Sequence, residues 1–305
     1  LTAAVYTRQS YGLAAPFAAF VWLLHRRPRT RAFALAGLVA GLGGAAFLLL
    51  NAITRGGFFY NIVTANVNLF QLPTLLRYAG DVAMRLPLLT LLGGLFLLLG
   101  GWPMKAESWL LAAPYLLGAT ATAATIGKIG SNVNYLLELA AALSLTAGCL
   151  LAWLRSRAPR HLAWRIVSYV LPLLLIGQVY LMVSTEGTYA GYVLRRTEQT
   201  LENDVILNFI RETDDPVLTG EHMGLLALEG RPVVHQPFEM RQLARSGAWD
   251  QTPMLQMLED QAFPLALIFH PLGNDVHERR WTPEMLALVR ENYRSELNVS
   301  HTLVY

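Results

Sequence analysis

The chain has 305 residues, and only 15% of them are charged, well below the roughly 25% of ordinary soluble domains. Residues 1–185 carry 14 Lys and Arg against 3 Asp and Glu, whereas residues 186–305 carry 10 against 18. This division excludes a single soluble domain. It also excludes a nucleic-acid-binding protein, because the basic residues stand between apolar runs and do not form one exposed face.

The first residue and the one cysteine bear on the length of the protein and on disulfide bonding. Residue 1 lies in an apolar stretch without an initiator methionine, so we expect the C-terminal part of a longer protein. Cys149 lies in an apolar run and has no second cysteine to pair with, which excludes an intrachain disulfide.

Six apolar runs in residues 1–185 predict membrane-spanning helices, since a bilayer takes about 20 apolar residues to cross. In chain order these runs are residues 11–24, 31–53, 86–101, 108–126, 133–154 and 166–184. The first and third are short. The second contains Gly37 and Gly41 at GxxxG spacing, which predicts close approach of a neighbouring helix.

Arginine-rich loops predict the orientation of these spans through the positive-inside rule. The loops at residues 25–31 and 155–165 and the turn at 102–107 fall on one side, which is then the cytoplasm. The outer side receives the start of the chain, the long loop 54–85, the turn 127–132 and everything after residue 184.

From residue 186 the pattern of apolar and charged residues becomes that of a soluble domain. Short apolar runs at 217–219, 233–235 and 265–269 predict buried strands. Helical stretches at 192–211, 222–228, 239–246, 253–261 and 283–293 alternate with them. This order predicts a small extracytoplasmic α/β domain with parallel strands.

Three polar groups on the outer side are candidates for function, because polar residues beside membrane spans are costly. The first is residues 7–10, where Arg8 offers a planar fork suited to phosphate. The alternative is that Arg8 only anchors a helix end.

The second polar group is the aromatic and Asn-rich loop 56–68, whose amides suit sugar hydroxyls. The alternative is that this loop is an interfacial helix with turn-forming Asn residues.

The third polar group is residues 127–138. Lys128 stands in a Gly-flanked turn, and Asn134 and Glu138 are four residues apart, which predicts one shared helix face that points into the bundle. Ser131 can join this face. The group suggests an anionic headgroup site; the alternative is an anchored loop with Glu138 paired to a basic neighbour.

The soluble part offers little chemistry in its sequence. His222, His235, His270 and His277 lack metal-ligand spacing, so no metal site is predicted. No hydrolase elbow, phosphate-binding loop or dinucleotide fingerprint occurs.

Three stretches together resemble bacterial integral-membrane glycosyltransferases of the GT-C superfamily, the group like dolichyl-phosphate-mannose protein mannosyltransferases. They are the stretches 7–9, 61–68 and 127–135, which include Thr-Arg-Gln, the Asn-rich loop and Gly-Lys-Ile-Gly-Ser-Asn. The resemblance covers residues 1–185. The stretch 218–269 resembles an outer domain appended in some bacterial members.

The resemblance implies transfer of a sugar from a polyprenyl-phosphate donor to a protein, lipid or glycan acceptor, on the outer face of the bacterial cytoplasmic membrane. Arg8 and Lys128 match the basic positions that hold the donor phosphate. Gln9, Asn66, Asn68, Asn132, Asn134 and Glu138 would orient the donor or support the cation. The catalytic acid of such enzymes follows the first helix, so it is expected upstream of Leu1, and no residue here is assigned that role.

We therefore expect an α-helical multi-span membrane domain of about six helices, residues 1–185, followed by an α/β domain, residues 186–305. The predicted function is a partial glycosyltransferase of the cell envelope. No cofactor is indicated, although a divalent metal stays open. Two alternatives are a transporter or flippase of a lipid-linked sugar, and a non-enzymatic membrane-anchored binding module.

Overall fold

The computed structural model describes residues 2–7, 9–66, 68–101, 108–157, 162–185, 189–214, 216–270, 280–299 and 301–305. The chain forms two compact units. The first comprises Leu1–Phe58 and Asn68–Glu186, and the second comprises Phe59–Val67 and Gly187–Tyr305.

Helices make up the described part of residues 1–186. They are α1 (Thr2–Thr7), α2 (Ala14–Leu24), α3 (Thr30–Ile53), α4 (Gly57–Phe59), α5 (Leu72–Arg85), α6 (Pro87–Leu99), α7 (Trp109–Ala123), α8 (Leu137–Arg157) and α9 (Leu162–Thr185). Short 3-10 turns lie at Gln9–Gly12, Ala124–Gly127 and Val133–Leu136, and a π-helical turn lies at Tyr60–Thr64.

Four helical segments in the described residues are long and apolar enough to cross a membrane. They are Thr30–Ile53, Trp109–Gly127, Val133–Arg157 and Leu162–Ser184. The pair α5 and α6 gives a fifth if it counts as one broken span, since the two helices meet at 99°. The coarse prediction of several apolar spans is thus confirmed, but the count of six is not reached in the described part of the chain.

The two short predicted runs account for this difference. α2 has only 11 residues, because the chain before it forms a 3-10 turn and not a continuous α-helix. α6 begins at Pro87, directly after the bend, and has 13 residues. The predicted outer loop 54–85 also contains a helix, α5, with Arg77, Asp81 and Arg85 at four-residue spacing.

Small residues bring the helices of the first unit together at particular points. A Cβ on Gly118 of α7 would lie 2.7 Å from the Cα of Ala14 on α2, so these two backbones are in direct contact. Gly37 and Gly41 of α3 have nothing within 4 Å of an added Cβ. Within the described residues, the predicted close approach at the GxxxG spacing is therefore wrong, and Gly118 serves that purpose.

The second unit contains a mixed four-stranded sheet with the order β1-β2-β4-β3. Its strands are β1 (Val217–Thr219), β2 (Leu265–Phe269), β3 (Leu297–Val299) and β4 (Thr302–Val304). Its helices are α10 (Tyr189–Glu212), α11 (Met223–Leu228), α12 (Pro237–Arg245), α13 (Thr252–Glu259) and α14 (Pro283–Asn292).

Alternating side chains of the strands build a core on each face of this sheet. Leu265 and Leu267 pack with Ile206 and Ile210 of α10 on one face. On the other face, Ala266 and Ile268 pack with residues of α13 and α14 such as Leu258 and Met285. The unit is therefore a sheet between two helical layers.

Two predictions for this unit are corrected. β1 and β2 are parallel as predicted, but β2 pairs antiparallel with β4, and β4 pairs antiparallel with β3. Residues 233–235 form no strand, and His235 packs its ring against Trp249 and Trp281 instead.

Candidate functional site

In the first unit, the third predicted polar group forms a short stretch of antiparallel pairing with residues 69–71, which directly follow the second predicted group. Phe70 pairs with Lys128 as an isolated bridge. The amide of Gln71 donates to the carbonyl of Gly127 over 2.7 Å, and the amide of Ile129 donates to that of Leu69 over 3.0 Å. We call residues 68–71 and 127–131 the loop junction.

Gly127 leaves room for the Phe70 ring beside this pairing. A Cβ at residue 127 would lie 2.4 Å from Cε2 of that ring, closer than van der Waals contact permits. A larger residue at position 127 would therefore displace the ring of Phe70, which is partly exposed.

Lys128 stands at the centre of the loop junction and is half-buried. Its amide donates to the carbonyl of Thr125, and its own carbonyl accepts from Ser131, both over 3.1 Å. Gly130 completes the turn with a φ of 84°. The backbone is thus fixed on both sides, while no ion pair to the Lys128 ammonium occurs among the described residues.

Glu138 lies inside the helical bundle, as predicted, with 9% of its surface exposed. Its Oε2 lies 3.5 Å from Oγ1 of Thr122 on α7. No basic side chain of the described residues pairs with it, so the alternative of a Glu138 ion pair is not supported there. A carboxyl buried in a candidate span without a basic partner is unusual and makes Glu138 a candidate for a role in binding.

A line of threonines connects Glu138 with the loop junction. Oγ1 of Thr125 donates to the carbonyl of Thr122 over 2.6 Å. Oγ of Ser131 donates to the carbonyl of Thr125 over 3.3 Å. Through these contacts the Lys128 turn and the buried carboxyl belong to one continuous polar path.

The predicted Asn residues are only partly brought together. Asn68 belongs to the loop junction, and its buried Oδ1 has no hydrogen-bond partner among the described residues. Asn132 is exposed, and its Oδ1 accepts from the Val133 amide over 2.7 Å, which makes it a helix cap. Asn66 is exposed and belongs to the second unit.

The predicted shared face of Asn134 and Glu138 is wrong. Asn134 lies in the 3-10 turn Val133–Leu136 and is exposed, whereas Glu138 lies in the α-helix that follows and is buried. With three residues per turn in the first segment, the four-residue spacing no longer places the two side chains on one stripe.

The two candidate side chains of the amino-terminal polar group, Arg8 and Gln9, are not among those that the structure describes. Arg8 lies outside the described residues. Gln9 begins a 3-10 turn, and its side chain lies outside the described part as well.

The residues that sequence patterns alone did not single out are Phe70, Gln71, Thr122 and Thr125. The two threonines stand three apart at the end of an apolar run, directly before the Gly127-Lys128 turn. That spacing was a usable signal, since it puts both hydroxyls on one helix face near the cation. Nothing in the sequence indicated that residues 69–71 pair with 127–129.

The described histidines of the second unit are not grouped with other potential metal ligands. No group of three potential metal ligands occurs among the described residues, and His277 lies outside them. Nε2 of His222 lies 2.9 Å from Oγ1 of Thr302. His235 is buried and stacks on the Trp281 ring, with centroids 5.2 Å apart. Both ring nitrogens of His235 are buried without a hydrogen-bond partner among the described residues.

Comparison of the chain with protein-family models, with curated proteins and with solved structures found no match. The resemblance to GT-C enzymes therefore stays a prediction from the quoted motifs. A functional proposal for this chain depends on the chemistry of the loop junction.

Proposed function

We propose that the chain is the membrane-embedded part of a glycosyltransferase that uses a polyprenyl-phosphate-linked sugar on the outer face of the membrane. The observation that carries this proposal is the loop junction. Backbone pairing of residues 69–71 with 127–129 fixes Lys128 without an ion-pair partner in the described residues, and the same junction contains Asn68, whose amide oxygen is buried.

The site fits the phosphate of a lipid donor. Lys presents a compact positive charge that binds phosphate as a point charge. A phosphate leaving group gains negative charge as the sugar departs, and a fixed cation stabilises that charge. The candidate spans around the junction would keep the isoprenoid tail in the bilayer.

Glu138 has a supporting role in this proposal. The path through Thr122 and Thr125 links its carboxyl to the Lys128 turn. Glu138 would help to position the turn through these contacts. No described side chain is assigned the role of general base.

The proposal predicts that Lys128→Gln weakens binding of undecaprenyl phosphate to the purified chain. A charge-assisted hydrogen bond contributes about 1.5–3 kcal/mol, so we expect the dissociation constant to rise roughly 10- to 100-fold. In the complete enzyme, sugar transfer should fall by about 10²–10³, the cost of losing one such donor. Binding is measured by native mass spectrometry in detergent.

Arg77→Gln is the matched control, because it removes one positive charge from an exposed position of α5 outside the junction. Lys128→Arg should retain most of the binding. Equal affinity of Lys128→Gln and the unmodified chain would remove Lys128 from the site.

A transporter of lipid-linked sugars is the second candidate, and the bend between α5 and α6 favours it. Broken helices line substrate sites in many transporters. The two candidates differ in the fate of the sugar. In sealed vesicles a transporter moves the intact lipid-linked sugar from one leaflet to the other. The glycosyltransferase leaves the lipid in its original leaflet and cleaves the sugar from it.

A further inference from the structure

A large apolar groove lies in the first unit, away from the loop junction. It has a volume of about 760 Å³, within the usual range for ligand sites. One wall is the bend between α5 and α6, and the other is α9. Its lining residues are Met84, Arg85, Pro87, Leu88, Leu173, Leu174, Gly177, Gln178, Leu181 and Met182.

The α9 wall is a regular stripe along one helix face. Its six lining residues form pairs that repeat every four positions, from Leu173 to Met182. At 1.5 Å per residue this stripe is about 14 Å long. Leu173, Leu174 and Leu181 are exposed, and α9 is a candidate membrane span. In a bilayer, this groove therefore faces lipid.

Gln178 holds the two walls together. Its Oε1 accepts the amide of Leu88 over 2.8 Å, which satisfies an otherwise unpartnered donor in the first turn of α6. Its Nε2 is buried and has no hydrogen-bond partner among the described residues. An oxygen of a bound molecule would supply the missing contact.

The rim of the groove selects the charge of its occupant. Arg85, at the carboxyl end of α5, lines the groove, and no acidic residue is among the described residues that line it. Arginine stays ionised and forms bidentate contacts with phosphate. The apolar wall below it suits a hydrocarbon chain.

We infer that this groove is a binding site for an anionic phospholipid, with an acyl chain along α9 and the headgroup phosphate at Arg85. The site is separate from the donor site. α5 begins at Leu72, just after the junction, and its 14 residues place Arg85 about 20 Å along the helix. The inference does not depend on the proposed transfer reaction.

Gly177 allows a direct test. A Cβ at residue 177 meets nothing within 4 Å, so Gly177→Leu fills the groove without a clash. A Cβ at Gly148 of α8 likewise meets nothing within 4 Å, and Gly148 is exposed and does not line the groove. Gly148→Leu is thus a matched control for the same change on a neighbouring span.

The measurement is native mass spectrometry of the full chain in detergent, with phosphatidylglycerol or phosphatidylcholine added at equal concentration. We expect the unmodified chain and Gly148→Leu to retain phosphatidylglycerol preferentially. Gly177→Leu should reduce its retention at least fivefold. Arg85→Gln should abolish the preference between the two lipids, whereas Arg77→Gln should keep it.

Two results would overturn the inference. Unchanged retention in Gly177→Leu means that the groove holds no lipid chain, and an unchanged headgroup preference in Arg85→Gln means that Arg85 does not bind the phosphate. If Gly177→Leu fails to fold, Leu181→Trp gives the same test from an exposed position on the same wall.

Discussion

Glu138 and His235 are the two ionisable side chains that are buried among the described residues. The sequence indicated Glu138, because an acid within an apolar run is rare. For His235 the sequence predicted burial in a strand at residues 233–235, but that strand does not form. Burial of His235 depends on Trp249 and Trp281, which are distant in sequence and lie against its ring.

His235 predicts an acid-sensitive C-terminal unit. Burial lowers the pKa of its imidazole from 6.5 to about 4. The unfolded chain therefore binds a proton between these values while the folded unit does not, and stability falls as the pH drops from about 6.5 to 4. The full shift corresponds to about 3 kcal/mol.

His235→Phe should remove most of this dependence, because phenylalanine keeps a ring between the two tryptophans without a titratable nitrogen. The measurement is hydrogen exchange of peptides containing β2 in the full chain, corrected for the intrinsic effect of pH. Two neighbours also titrate: burial lowers the pKa of His222 and raises that of Glu239. Comparison with His222→Gln separates the first, and an unchanged profile in His235→Phe would contradict the prediction.

At the scale of elements, the helices were predictable because a long apolar run that crosses a membrane must form a helix to satisfy its backbone hydrogen bonds. Pairing between elements was not. The strands β3 and β4 have three residues each and join through His301, whose φ is 69°, so no glycine signals the turn. The bend between α5 and α6 likewise follows from Pro87 and from the packing around it, and Pro87 alone does not reveal the angle.

The contact between α2 and α7 supports a prediction about Gly118. Gly118→Ala places a methyl group 2.7 Å from the Ala14 Cα, and a backbone cannot move aside as a flexible side chain can. We expect a loss of about 1–3 kcal/mol in the free energy of unfolding. Unfolding of the purified chain in a series of detergent mixtures measures it.

Gly148→Ala is the control for Gly118→Ala, since its new methyl group meets nothing within 4 Å. Alanine is the better helix former, so this variant should be as stable as the unmodified chain or more so by about 0.5–1 kcal/mol. Equal destabilisation of the two variants would show that the α2–α7 contact is not tight.

For the whole molecule, composition predicted that the chain has two parts. The first is apolar and basic, and the second is acidic and contains strands. Composition did not predict that residues 59–67 group with the second unit. It also placed Lys128, Asn68 and Glu138 among the candidates without showing how they meet. The threonine path connects Glu138 with the Lys128 turn, and the backbone pairing connects that turn with residues 69–71, which are far from it in sequence.

The central claim is that the loop junction binds the phosphate of a polyprenyl donor. The most direct test is photo-cross-linking of the purified chain with a polyprenyl phosphate that carries a diazirine on the isoprene unit next to the phosphate. The account predicts cross-linked peptides from residues 68–71 and 125–134, and their loss when unlabelled undecaprenyl phosphate competes. Cross-links confined to α9 or spread along α3, with none at the junction, would contradict it.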